Sequence, residues 1–243
     1  MDWKKQGEEI RQLLGLEGNP VAITYSMDPY QGAVKGRHRV CDALLLARDG
    51  AVIDLNAKTS ACSGGTHYLG LCEQAPGGDR ALKDFLVNGE KLFSTVAVLY
   101  RAQALATPPP VGMAEHVIMG PLGGMDLTPD LILLICNPAQ ACRLVTLDTF
   151  DTGIPPKIEM GGATCHQAVG YPIATGELNV SLMDYTSRRI KAYGPNDLIV
   201  TVPLHRFPGI MRSVDRSTAG RAPFEVPEAF RKRMGEDALR ELE

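Results

Sequence analysis

The sequence predicts a mixed α/β (α+β) protein built from two pseudo-symmetric halves. Short apolar runs such as residues 20–25 (PVAITY) and 131–136 (LILLIC) alternate with stretches of helical periodicity. The run Pro108-Pro109-Pro110, which no helix can pass through, marks a seam near the middle. On each side of that seam an apolar strand precedes cysteine-bearing helix starts at similar spacing: Cys62 follows Cys41 by 21 residues, and Cys165 follows Cys142 by 23. These features divide the chain into an N-terminal half (1–107), a C-terminal half (108–211) and a helical extension (212–243), which together can form one compact domain.

The elements follow in order. Residues 4–15 place Ile10, Leu13 and Leu14 on one stripe ahead of Gly15 and Gly18, the pattern of a short amphipathic helix. A strand is expected over 20–25, a helix with the acidic Asp42 in its first turn over 42–48, and a short strand over 51–55. The segment 59–71 (TSACSGGTHYLGL) passes through a glycine pair into a helix, and helices over 79–88 and 90–104 are divided at Asn88-Gly89. Past the proline run comes the glycine-rich HVIMGPLGGM. A strand over 131–136 is closed by Asn137-Pro138 and followed by a helix over 139–147. A last strand spans 197–204, with Pro203 suited to an edge or a strand end. The final stretch, 226–242, is charged and amphipathic.

Composition narrows the function. A net charge of -3 and a pI near 6.0 give no basic surface for nucleic acid. The N-terminus is charged and lacks the apolar core of a signal peptide, and the longest apolar run is far shorter than the ~20 residues that span a bilayer. The expectation is a soluble cytoplasmic protein with no membrane and no nucleic-acid partner, acting on a small-molecule substrate or with a redox partner protein, a homo-oligomer being open. No GxGxxG, P-loop, GxSxG or HExxH pattern occurs.

Chemistry is therefore expected at the cysteines. A buried, inert thiol is the commonest state of a free cysteine, so arrangement has to raise the prior. Cys41, Cys62, Cys142 and Cys165 stand at the matching positions of the two halves, at or near helix starts. There the unpaired backbone N–H groups favour a thiolate and can donate to cluster sulfurs. These four are the candidate metal and cofactor ligands, and the leading expectation is an iron–sulfur cluster, 4Fe-4S, in anaerobic redox metabolism. Zinc ranks lower because its structural sites draw ligands from close Cys pairs. Two other readings stay open: a small-molecule or tetrapyrrole binding module with a cysteine-lined pocket, and a thiol-dependent enzyme with Cys62 or Cys165 reactive. Cys72 and Cys136 are read as core. His67 and His166 stand near the cysteines as ligands, proton donors or simple polar contacts, and Arg188 and Arg189 as an anion contact or a solvated pair.

The combination of NPVAITY, Cys41-Asp42-Ala43-Leu44, SACSGGTHYLGL, PDLILLICNPAQACRL, GATCHQAVGYP and SLMDYTSRR resembles the bacterial and archaeal family named domain of unknown function 169, over most of residues 15–211. The resemblance implies a cytoplasmic protein common in anaerobes and no settled activity. It also implies that the positions of Cys41, Cys62 and Cys165 often hold cysteine whereas that of Cys142 is often methionine, so the fourth ligand is where repeat and resemblance disagree.

Overall fold

Strands β1 (Val21–Ser26), β2 (Ile53–Leu55), β3 (His116–Pro121), β4 (Leu131–Cys136), β5 (Asn179–Ser181) and β6 (Leu198–Pro203) form one antiparallel sheet in the order β2-β3-β1-β4-β6-β5. The computed structural model describes residues 1–73, 80, 83–161, 163–190, 193–222, 225 and 228–233. The central strands read as continuous apolar runs because both faces of the sheet are covered. In β4, Ile132, Leu134 and Cys136 face one layer, whereas Leu131 and Leu133 face the other.

The first layer holds α1 (Trp3–Leu14), α5 (Pro138–Thr149) and α8 (Phe207–Ser213), whose Ile10, Leu144, Phe207 and Ile210 are fully buried. The second holds α2 (Val40–Arg48), α3 (Ser63–Tyr68), a π-helical turn His166–Gly170 and α6 (Tyr171–Thr175). Val40, Ala43, Leu44, Ala168 and Val169 close that side. A π-helical segment Lys83–Gly89 and α4 (Val96–Leu105) lie between β2 and β3 in sequence, and α7 (Tyr185–Ile190) precedes β6.

Local chemistry accounts for the boundaries. Asn137 and Gln140 form a reciprocal capping box at the start of α5, with Pro138 in the first helical position, where its missing N–H costs nothing. The Gln140 amide continues to the carbonyls of Leu14 and Gly15, so the Asn-Pro-Ala-Gln stretch starts one helix and holds the end of another. The β3 strand, absent from the sequence expectation, is masked by its own glycine. Gly120 pairs with Ala22, and a Cβ there would stand 2.8 Å from the Met125 sulfur. The expected helix over 79–88 appears, within the described residues, as the π-helical segment ending at Gly89. That over 226–242 lies mostly outside them, leaving Glu228–Arg231 as a helical turn (α9).

Read outward from the centre, both halves have the same strand order: β1, β3, β2 on one side and β4, β6, β5 on the other. The centre is the β1–β4 pairing, Val21↔Leu133 to Ile23↔Leu131. The helices do not follow this symmetry. The one after β1, α2, packs on one face of the sheet and the one after β4, α5, on the other. Equal cysteine spacing therefore does not give equivalent positions.

Candidate functional site

Cys62 is the cap residue before α3, in extended conformation, and its sulfur accepts the Gly65 N–H at 3.3 Å. The helix can start so close to its neighbours only because Gly65 has no side chain. A Cβ there would lie 2.9 Å from the Val40 side chain and 3.4 Å from the Cys165 sulfur. Gly170 does the same from the other partner, since a Cβ on it would meet the Tyr68 carbonyl at 2.4 Å. Two glycines thus press α3 against the π-helical turn that follows Cys165, and the two cysteines meet at this seam. Both are half-buried, and none of the six cysteines is in a disulfide.

Cys165 is held from behind. Thr164 donates its N–H (3.1 Å) and its hydroxyl (2.6 Å) to Asp184, whose own N–H returns to the Thr164 hydroxyl at 2.8 Å. Asp184 follows Met183, a buried non-glycine residue with φ 63°, a left-handed turn that costs on the order of 1–3 kcal/mol. Next to Cys165, the buried His166 is fully engaged. Its Nε2 accepts the Thr107 N–H at 3.0 Å, so its proton lies on Nδ1, facing the Glu159 carboxylate at 3.1 Å. Burial lowers its pKa against the opposing charge of Glu159. The imidazole is a strut between the proline run and the Glu159 segment rather than a base. His67 turns its Nδ1 to the Cys72 carbonyl at 3.4 Å.

The two thiols differ electrically. Hydrogen bonding from Cys165, then the Gly65 N–H and the charge of Arg39, brings Cys62 down to about 6 against the opposing pull of burial and of Asp184. Cys165 is pushed well above the usual thiol range by the Cys62 sulfur first, then by burial and by the charges of Cys62, Cys41 and Asp184. The surroundings favour the thiolate at Cys62 and the proton at Cys165.

Of the four expected ligands, Cys41, Cys62 and Cys165 share this side of the sheet. Cys41 is buried in the first turn of α2, where its charge is felt at Cys165, and its carbonyl accepts the Tyr193 hydroxyl at 2.9 Å. Cys142 stands apart: it is exposed on α5, with the sheet between it and the pair. The repeat spacing misplaces it because α2 and α5 pack on opposite faces. Cys136 is core, and burial pushes its thiol up to about 12, whereas Cys72 is half-buried. Among the described residues no group of three or more His, Cys, Asp or Glu side chains is arranged to hold a single metal ion. Gly65 of the Gly64-Gly65 pair serves packing, set against Val40 and the Cys165 sulfur. Arg188 holds the carbonyls of Leu182, Gly194, Pro195 and Asp197, so it is a loop brace. A cleft of about 310 Å³, lined by Asp130, Ile173, Leu204 and His205 among others, contains no cysteine.

Sequence reasoning found the three cysteines but missed the Thr164–Asp184 clamp, the Arg39 charge and the two packing glycines. The SLMDYTS stretch held a signal for the first, since Asp is a favoured residue just before a helix, and Asp184 accepts the Ser187 N–H at 2.6 Å.

Among the described residues no helix is long and apolar enough to cross a membrane. The model of the family described as uncharacterised ArCR, domain of unknown function 169, matches residues 9–213. No curated protein and no solved structure matches the chain.

Proposed function

Since the chain belongs to the domain of unknown function 169 family, its chemistry has to come from its own site, and we propose that it is a thiol-dependent enzyme whose reacting group is the Cys62 thiolate. The observation that carries this reading is the meeting of two thiols at Gly65, whose N–H donates to the Cys62 sulfur while the Cys165 sulfur lies against the same residue. A thiolate is the nucleophilic form of cysteine, and a thiol of depressed pKa, partly exposed and beside a cation, is the usual setting of a reactive one. The substrate is a small electrophile that reaches the half-buried sulfur, and a reducing compartment such as the cytoplasm suits a pair that must stay as thiols.

The test is a timed reaction of the full chain with iodoacetamide from pH 5 to 9, with labelled peptides assigned by mass. Cys62 is expected to react first, its rate half-maximal near pH 6 and level above pH 7. If Cys62 reacts no faster than the exposed Cys142 at pH 7, the reading fails.

A second reading is a 4Fe-4S cluster protein of anaerobic redox metabolism, with a redox partner protein, and the position of Cys41 supports it. Three thiols from three segments gather on one side of the sheet, and each cluster thiolate binds its own iron, so single-ion geometry is not required. Cys62 and Cys165 would then have to leave their hydrogen bond for separate irons, which ranks this reading second. Anaerobic reconstitution with iron and sulfide decides it: a colourless protein without bound iron ends this reading.

A further inference from the structure

We infer that Cys165 is the resolving thiol for Cys62, so that the pair forms a two-electron dithiol–disulfide couple and the substrate class is a small disulfide. This rests on the reading of Cys62 as the nucleophile and adds to it what the substrate is and where the electrons come from.

The two thiols converge on Gly65, whose N–H the Cys62 sulfur accepts at 3.3 Å and whose Cβ position lies 3.4 Å from the Cys165 sulfur, and they are brought there by segments distant in sequence. The chain contains no Cys-x-x-Cys, so the dithiol is assembled by the fold alone, at the seam that Gly65 and Gly170 keep narrow. A cysteine that transfers acyl groups needs an acid beside it to protonate the leaving group. The histidine nearest in sequence to the pair, His166, has both ring nitrogens engaged, with Thr107 and Glu159. What Cys62 does have at its sulfur is a second thiol.

The steps balance. The Cys62 thiolate attacks one sulfur of a substrate RS–SR′, the S–S bond breaks, and R′S⁻ leaves and takes a proton from water. Cys62 is then a neutral mixed disulfide and no longer holds the Cys165 proton by its charge. Cys165 attacks the Cys62 sulfur and expels RS⁻, which takes up the proton that Cys165 gives up. The sum is two protein thiols plus RSSR′ giving one Cys62–Cys165 disulfide, RSH and R′SH. Two electrons pass from the protein sulfurs to the substrate, and a dithiol reductant restores the pair.

Oxidised glutathione is the probe. The reduced full chain is mixed with it, quenched with acid at intervals, and read by intact mass and peptide mapping. The wild type is expected to lose two hydrogens and yield a linked Cys62–Cys165 peptide pair, with the glutathione adduct only transient. Cys165→Ser is expected to stop at a Cys62–glutathione adduct living at least tenfold longer, and Cys165→Ala to do the same without a hydroxyl in the site. A wild type that keeps a stable glutathione adduct at Cys62 overturns the resolving role while leaving the nucleophile in place. Absence of any adduct at Cys62 in wild type and variants overturns the nucleophile reading with it. The wild-type outcome needs no variant to fold, and iodoacetamide labelling of Cys62 in each variant at pH 9, where the thiol ionises without help from Cys165, reports whether its site is intact.

Discussion

A thiol ionises in a folded protein when the donors around it outweigh the water it has lost, and at Cys62 those donors are named. Replacing Cys165 by Ala removes the largest of them, so the Cys62 pKa is expected to rise from about 6 toward the ordinary thiol range. The sign is fixed by the charged form being the one stabilised: at pH 7 the wild type is mostly thiolate, and the variant loses reactivity there but regains it at higher pH. Thiolate absorbance or iodoacetamide rates against pH measure the shift. Cys142→Ser is expected to leave that profile unchanged, because the sheet separates residue 142 from the pair. The three cysteines on one side were legible in the sequence as residues placed near small, helix-starting segments. Their inequality was not, because the Gly65 N–H, the Arg39 charge and the Asp184 carboxylate reach them only through the fold.

The seam between α3 and the turn after Cys165 depends on two absent side chains. Gly170→Ala puts a methyl 2.4 Å from the Tyr68 carbonyl, a backbone atom that cannot swing aside. Overpacking of this kind costs about 1–3 kcal/mol. A lower urea midpoint and slower formation of the Cys62–Cys165 link are expected together. Gly65→Ala meets Val40 at 2.9 Å, a fully buried β-branched side chain with little freedom to give, and is expected to destabilise in the same direction. Strands with unbroken apolar runs were legible, β4 residue for residue, because burial on both faces leaves a run no other reading at that length. The β3 strand was not, because Gly120 reads as a turn in sequence but serves as a gap for Met125 in the sheet. The helix starting at Pro138 announced itself through Asn137 and Gln140, whose side chains make the cap.

Across the whole chain, the strand order repeats but the helix layers do not, and this is why spacing alone mispaired Cys41 with Cys142. Spacing along a chain records how far apart two residues are but not which face of a sheet the chain crosses to. A charge cluster ties three segments of the second half together. Arg206, just after β6, pairs with Asp148 of α5 at 2.8 Å and with Glu177 before β5 at 3.0 Å, and the Asp148 side chain is only 3 % exposed. Arg206→Ala strands that carboxylate without its cation, and removal of one partner from a buried pair costs about 3–5 kcal/mol. Thermal melts are expected to show the loss, whereas the pH profile of Cys62 labelling, set on the opposite face, is expected to stay.

Cys62 and Cys165 come from either side of the central β1–β4 region, and that placement has a thermodynamic reach beyond the pair itself. A bond between them would close a loop of roughly a hundred residues, from before α3 through β3, β4 and α5. Such a loop takes freedom from the unfolded chain worth about 4–5 kcal/mol in the chain-entropy account. By the cycle linking folding to oxidation, the folded pair would hold its electrons less tightly than the same two thiols in the unfolded chain, by on the order of 100 mV. The Cys62 thiolate, which favours the reduced state, pulls the other way. The melting temperature of the protein would then report its oxidation state, rising as the loop is tied and falling as it is released.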